Sequence, residues 1–97
     1  MRTRFRFTVI HPVPDYERWS KVVQESRGRN IAGVVGVSLY RSLDDPNEVM
    51  LDVDIESPEV SIELLKSENF RDLLDRAGIE IYPPVFIGEL IDEFSSP

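Results

Sequence analysis

The sequence predicts an α+β fold of order βαββαβ, a four-stranded antiparallel sheet with helices on one face. Three observations carry this. Apolar residues alternate along 4–11, 34–42 and 48–55; helical spacing fills the segments after the first and third of these; and a turn dense in Asp, Pro and Asn ties the second strand to the third. Ninety-seven residues is the length of one domain, so the chain reads as a single unit over 1–97 with an ordered core over about 3–93, the ends fraying.

Along 4–11, Phe5, Phe7, Val9 and His11 take one face and Arg4, Arg6, Thr8 and Ile10 the other. Pro12 and Pro14 end this strand, because proline has no N–H for the ladder. Asp15 is a natural N-cap for an amphipathic helix carrying Tyr16, Trp19, Val22 and Val23 at helical spacing, which stops near Gly28. In 34–42, Val35, Val37 and Leu39 oppose Val34, Gly36, Ser38 and Tyr40. Asp44, Asp45, Pro46 and Asn47 then form a turn whose side chains bond their own backbone. The third strand, 48–55, has one wholly apolar face: Val49, Leu51, Val53 and Ile55. Ser57, Pro58 and Glu59 open a helix in the expected order of hydroxyl cap, proline and acid, with Val60, Leu64 and Leu65 as its buried stripe. Ser67 caps a second helical segment with Phe70, Leu73, Leu74 and Ala77, and Gly78 ends it in the left-handed conformation. Tyr82, Pro83 and Pro84 lead stiffly into a last strand over 85–91.

Two right-handed crossovers give these strands the ferredoxin-like sheet order 4-1-3-2, with strands 1 and 3 expected to be adjacent and parallel. The face holding Phe5, Phe7, Val9, Val35, Val37, Leu39, Val49, Leu51, Val53 and Ile55 is expected against the helices, each fully buried side chain stabilising by about 1.5–3 kcal/mol. The opposite face mixes Ile10, Val34, Tyr40, Met50, Phe86 and Leu90 with Arg4, Arg6, Asp52 and Asp54. That is more apolar than a water-facing sheet needs, so a second copy, packed sheet to sheet about a two-fold axis, is the expected cover. Arg4 and Arg6 pairing with Asp52 and Asp54 on the neighbouring strand would compensate charges that enter such an interior. The alternative is four unrelated surface charges.

The string His11-Pro12-Val13-Pro14-Asp15-Tyr16-Glu17-Arg18-Trp19 resembles the H-x-V-x-D-Y-x-x-W opening of small dimeric α+β barrel proteins. Asp44-Asp45-Pro46-Asn47-Glu48-Val49 resembles the hairpin turn of the same group. Arg71-Asp72-Leu73-Leu74-Asp75-Arg76-Ala77-Gly78, followed by Pro83-Pro84, is similar to its helix end and return to the sheet. The matches run in order over nearly the whole chain, and they resemble the antibiotic-biosynthesis-monooxygenase and cyclase-like superfamily. The resemblance implies a homodimer joined through its sheets and a pocket between sheet and helices for a small aromatic or polyketide-like molecule. It also implies oxygenase chemistry without metal, flavin or other cofactor, in which Asn, Trp, His or Tyr positions a substrate that activates oxygen itself. Asn30, Asn47 and Asn69 read here as loop, turn and helix-cap residues.

The catalytic candidate is His11, the single histidine, on core-face parity where strand 1 ends. An imidazole there can act as general base on a phenol or α-proton, with Trp19 stacking on the substrate and Tyr16 or Tyr82 orienting it. The expected surroundings include the C-terminal end of strand 3 at Ile55 and Glu56. The competing reading is a histidine bonded to loop carbonyls and an indole filling the end of the core. Arg41 is expected at the far end of the sheet near Glu89, as a surface ion pair or a carboxylate anchor.

Composition excludes several classes. The formal charge is −7, divided as +5 over residues 1–41 and −12 over 42–97. The dense acid argues against nucleic acid despite Arg2, Arg4, Arg6, Arg27 and Arg29. With no cysteine and one histidine, thiol chemistry and a zinc, iron or copper site have no ligand set. Asp44, Asp45, Asn47 and Glu48 lack the glycine and spacing of a calcium loop, and Gly28, Gly33 and Gly36 lead into a strand, so they are no phosphate cradle. No apolar run approaches the roughly 20 residues of a membrane span, and the basic start is no signal peptide; a cytoplasmic protein without membrane contact is expected. The leading function is a cofactor-free monooxygenase- or cyclase-type enzyme. Against it stands a non-catalytic homodimer that binds a small molecule or, through the acidic second helical region, a protein partner.

Overall fold

The structure, a computed structural model, describes residues 5–25, 31–81 and 83–96. Readings that rest on Arg2, Arg4, residues 26–30, Tyr82 or Pro97 lie outside the described residues. The elements are β1 (Phe5–Pro12), α1 (Tyr16–Glu25), β2 (Val34–Arg41), β3 (Glu48–Ile55), α2 (Pro58–Lys66), α3 (Glu68–Arg76) and β4 (Val85–Glu89). They build the ferredoxin-like α+β fold, one sheet of order β2-β3-β1-β4. Every neighbouring pair in it is antiparallel.

The antiparallel β1–β3 pair corrects the expected parallel one. A crossover makes β1 parallel to β2, and another makes β3 parallel to β4, but each such pair has a strand inserted between its members, and the inserted neighbour runs the other way. This changes which ends meet. His11 stands opposite Val49, and so does Arg41, so His11, Val49 and Arg41 form a row at one end of the sheet. Glu89 and Ile55 both stand opposite Phe5 at the other end. Arg41 is therefore beside the His11 end and far from Glu89, and the C-terminal end of β3 is far from His11.

Local chemistry sets the element boundaries. Asp15 Oδ1 accepts from the backbone N–H groups of Glu17 (3.0 Å) and Arg18 (3.3 Å), satisfying two of the orphan donors of α1. Ser57 stands at the N-cap of α2 with extended backbone, but its hydroxyl makes no cap bond. Proline at the first helical position and Glu59 in the first turn set that end instead. Ser67 serves two helices: its Oγ accepts from Phe70 N (3.1 Å) and donates to the carbonyl of Leu64 (2.8 Å). At the end of α3, Gly78 (φ 80°) and Ile79 donate to the carbonyls of Asp75 and Leu74, the paired bonds of a Schellman close. The hairpin turn is held by Ser42 Oγ, which accepts from the N–H groups of Asp44 and Asp45, and by Asp45 Oδ1, which accepts from Asn47 N.

Two clusters make the core. Phe7, Val9, Val53, Ile55, Phe70 and Leu74 form the larger, with the rings of Phe7 and Phe70 edge to face at 5.8 Å. Val13, Trp19, Val23, Val49 and Ala77 form the second, at the His11 end. The stripe expected on α2 is half-buried, and the buried residue of that helix is Ser61. The strand β2 departs most from expectation. A bulge between Val34 and Gly36 sets Val34 opposite Ile55, on the core side, and leaves Val35 exposed. Val37 and Leu39 do lie on the helix side, opposite Val53 and Leu51, but they stay exposed, because β2 is an edge strand beyond the buried clusters. The last strand ends at Glu89, so Leu90 and Ile91 fall outside it. Among the described residues, no helix is long and apolar enough to cross a membrane.

Candidate functional site

A cavity of about 120 Å³ lies between the sheet and the helices. Phe7, Leu51, Val53 and Val37 supply its sheet wall, and Val22, Val23, Leu64, Phe70 and Leu73 its helix wall. None of these side chains carries a hydrogen-bonding group. The polar lining comes from one place: Ser67 at the cap of α3, then Asn69, Asp72 and Arg76 along it. Residues 69, 72, 73 and 76 fall at i, i+3, i+4 and i+7, one stripe of a helix, so the fold aims one α3 face into the hollow.

Ser67 has both hydroxyl functions engaged within the chain. The Arg76 guanidinium bonds the Glu25 carboxylate at the end of α1, and its Nη1 lies 3.7 Å from Asp72 Oδ2. The backbone carbonyl of Arg76 accepts from Arg18 Nε at 2.6 Å. Arg76 thus ties α3 to α1 beside the cavity through both its side chain and its backbone. The Asn69 side-chain amide has no hydrogen-bond partner among the described residues, and the residue is exposed.

The corner predicted from the sequence is a different place. His11 is buried, and its Nδ1 lies 3.1 Å from the carbonyl oxygen of Pro12. A carbonyl only accepts, so Nδ1 carries the proton of that bond. Burial pushes the His11 pKa below its ordinary 6.5, with the Pro12 bond opposing. Trp19 is buried among Val13, Val49 and Ala77. The ring of Tyr16 is 6.0 Å from that of Trp19, and the Arg41 guanidinium sits 4.4 Å above the Tyr16 ring, a cation–π contact. The structure therefore gathers His11, Tyr16, Trp19 and Arg41 at one end of the fold, yet none of them lines the cavity.

Sequence reasoning passed over the cavity residues. Asn69 read as a cap, and Asp72 and Arg76 as a helix end. Their common helical stripe was visible, but a stripe of polar residues is ordinarily a solvated face.

On the open face of the sheet, Arg6 lies between two carboxylates, with Nε 3.3 Å from Asp52 Oδ1 and Nη2 3.4 Å from Asp54 Oδ1. Thr8 Oγ1 donates to Asp52 Oδ1 at 2.8 Å. Asp52 is buried by these neighbours, although Ile10, Tyr40 and Phe86 on the same face are more than half exposed. Among the described residues, no group of three or more His, Asp or Glu side chains is placed to hold a metal ion.

No protein-family model matches the sequence, and no curated protein matches it. Solved structures do match in shape. A Bordetella bronchiseptica protein, provisionally named an antibiotic biosynthesis monooxygenase, superposes with a TM-score of 0.77 at 20% identity, over 93% of this chain and 99% of that one. The ActVA-Orf6 monooxygenase of Streptomyces coelicolor, solved in complex with nanaomycin D, gives 0.72 at 18% identity, over 99% and 95%. SnoaB of Streptomyces nogalater, a cofactor-independent oxygenase, gives 0.69 at 14% identity, over 98% of each chain. At these identities the likeness is one of fold: this chain has the ferredoxin-like fold of the antibiotic-biosynthesis-monooxygenase-like proteins.

Proposed function

We propose that this protein binds a small aromatic molecule in the cavity between sheet and helices, and that it is a cofactor-independent oxygenase or cyclase-type enzyme. The observation that carries the reading is the cavity itself: apolar walls with hydrogen-bonding groups on one side only, the arrangement that holds and orients an aromatic ligand. The fold shared with ActVA-Orf6 and SnoaB supports the class of reaction. An electron-rich phenol held there, its ring against the apolar walls and oriented by Asn69 and Arg76, is a substrate able to react with oxygen directly. In this reading His11, Tyr16 and Trp19 hold the end of the fold together and do not touch the ligand.

A thermal-shift screen of phenols, quinones and polyketide-like acids tests the binding, with oxygen uptake measured for each hit. Val37→Trp is the control, since Val37 lines the cavity from an exposed position and a larger side chain can fill the space without overpacking the core. A hit should stabilise the wild-type protein and leave Val37→Trp unmoved. A screen without hits, or hits indifferent to Val37→Trp, would remove the reading.

We also propose that the protein is a homodimer joined through the open sheet face. Ile10, Tyr40 and Phe86 are exposed there around the compensated Arg6–Asp52–Asp54 cluster, a patch suited to burial against its own copy. Light scattering on a gel-filtration column should give twice the 11.2 kDa chain mass, and Tyr40→Asp should halve it. A monomer at every concentration tried would exclude this assembly.

A further inference from the structure

Two properties of the cavity restrict what it can hold: its size and Arg76, the one cation that lines it among the described residues. The space of about 120 Å³, open at a rim where Asn69, Asp72 and Arg76 are exposed, is comparable to the roughly 150 Å³ engineered cavity that takes up benzene. It is well below the roughly 300–1,000 Å³ of sites that enclose larger ligands. One ring fits, whereas a fused tricyclic ligand would leave most of its surface outside.

The polar groups narrow the choice further. Ser67 is engaged on both sides, and Asp72 already faces Arg76. That leaves the Asn69 amide and the Arg76 guanidinium to meet a ligand. A guanidinium has five N–H donors. Glu25 accepts one of them on Nη2, Asp72 stands 3.7 Å from Nη1 as an ion-pair neighbour outside hydrogen-bond distance, and the other donors have no acceptor among the described residues. Glu25 also shows what fits, because its carboxylate already occupies a position against Arg76 beside the cavity. A ligand carboxylate makes the same charge-assisted bonds and can make two in parallel.

We propose that Arg76 anchors the carboxylate of a single-ring aromatic acid whose ring fills the cavity, with Asn69 as the second hydrogen-bonding group. This rests on the small-molecule reading above and assigns it a ligand class. Glu25 is the competitor: in the absence of ligand it holds Arg76, and the incoming carboxylate displaces it.

Calorimetric titration of the full chain at neutral pH with 4-hydroxybenzoate, 4-hydroxybenzamide and anthracene-9-carboxylate tests the proposal. The acid should bind about tenfold more tightly than the amide, the advantage expected of hydrogen bonds to a charged group, and the tricyclic acid should bind more weakly than the single ring. Arg76→Gln should bring acid and amide within about twofold of each other, and Arg76→Lys should retain part of the preference. Glu25→Gln, which leaves Arg76 in place, should tighten the acid and not the amide. Thermal melts establish that each variant is folded. An amide that binds as well as the acid, a preference that survives Arg76→Gln, or a tricyclic acid that binds as well as the single ring overturns the proposal and leaves the small-molecule reading standing. Absence of binding by acid and amide alike overturns both.

Discussion

The helix–sheet interface of this small fold has two unlike ends. At the His11 end, Trp19 fills the space between α1 and the sheet, and Ala77 is fully excluded from solvent against it. Toward Val37, the same two layers leave a partly open hollow between them, with Val22, Leu51 and Leu73 among its walls. The layers, helices and crossovers are shared, so the difference lies in side-chain volume and in the edge strand β2, whose inward residues have no helix fully above them. In the function proposed above, the tightly packed corner holds the fold and the underfilled region offers the site. His11 and Trp19, the pair that draws attention as chemistry, are both buried at the packed end.

The contrast predicts unequal costs for comparable truncations. Trp19→Ala removes the largest side chain of the second cluster from a place where the surroundings are already close-packed, and should destabilise by about 3–5 kcal/mol in urea unfolding. Leu73→Ala enlarges a space that already exists beside a half-buried residue, and should cost about 2 kcal/mol, the low end for such a truncation. Equal losses for the two would erase the distinction between a packed end and a hollow one.

How much of this the sequence discloses follows the same division. Features that depend on a few consecutive residues are legible: Asp15 and Ser67 cap their helices, Gly78 closes α3, and the Asp45–Asn47 turn makes the hairpin. The facing of β2 is not, because alternation in an edge strand states which residues share a side and not whether anything covers that side. The bulge at Val35 shifts the alternation by one residue where nothing in Val34-Val35-Gly36 announces it. The cavity is least legible of all. It is a space left by residues from β1, β2, β3 and all three helices, and a single sequence records side chains and not the gaps between them. Asn69, Asp72 and Arg76 accordingly read as an ordinary polar helix face until the sheet is placed beneath them.

The smallest predicted effect belongs to the packed end and has no counterpart at the cavity. Burial lowers the pKa of His11 from 6.5, so the folded protein resists a proton that the unfolded chain accepts. Between the lowered folded value and 6.5 the unfolded state holds more protons, and stability there rises with pH. Stability from this group is therefore complete above pH 6.5 and is lost as the pH falls toward the folded value, below which both states are protonated and no further loss occurs. His11→Gln keeps a side-chain N–H for the Pro12 carbonyl and removes the titration. The melting temperature of the wild-type protein relative to this variant should be level from pH 8 down to about 7 and fall by a few degrees at most on further acidification. The carboxylates common to both proteins cancel in that difference. A relative gain on acidification would mean that the folded protein favours the imidazolium, against the burial that lowers its pKa, and the ligand affinity of the variant should match the wild type because His11 lies outside the cavity.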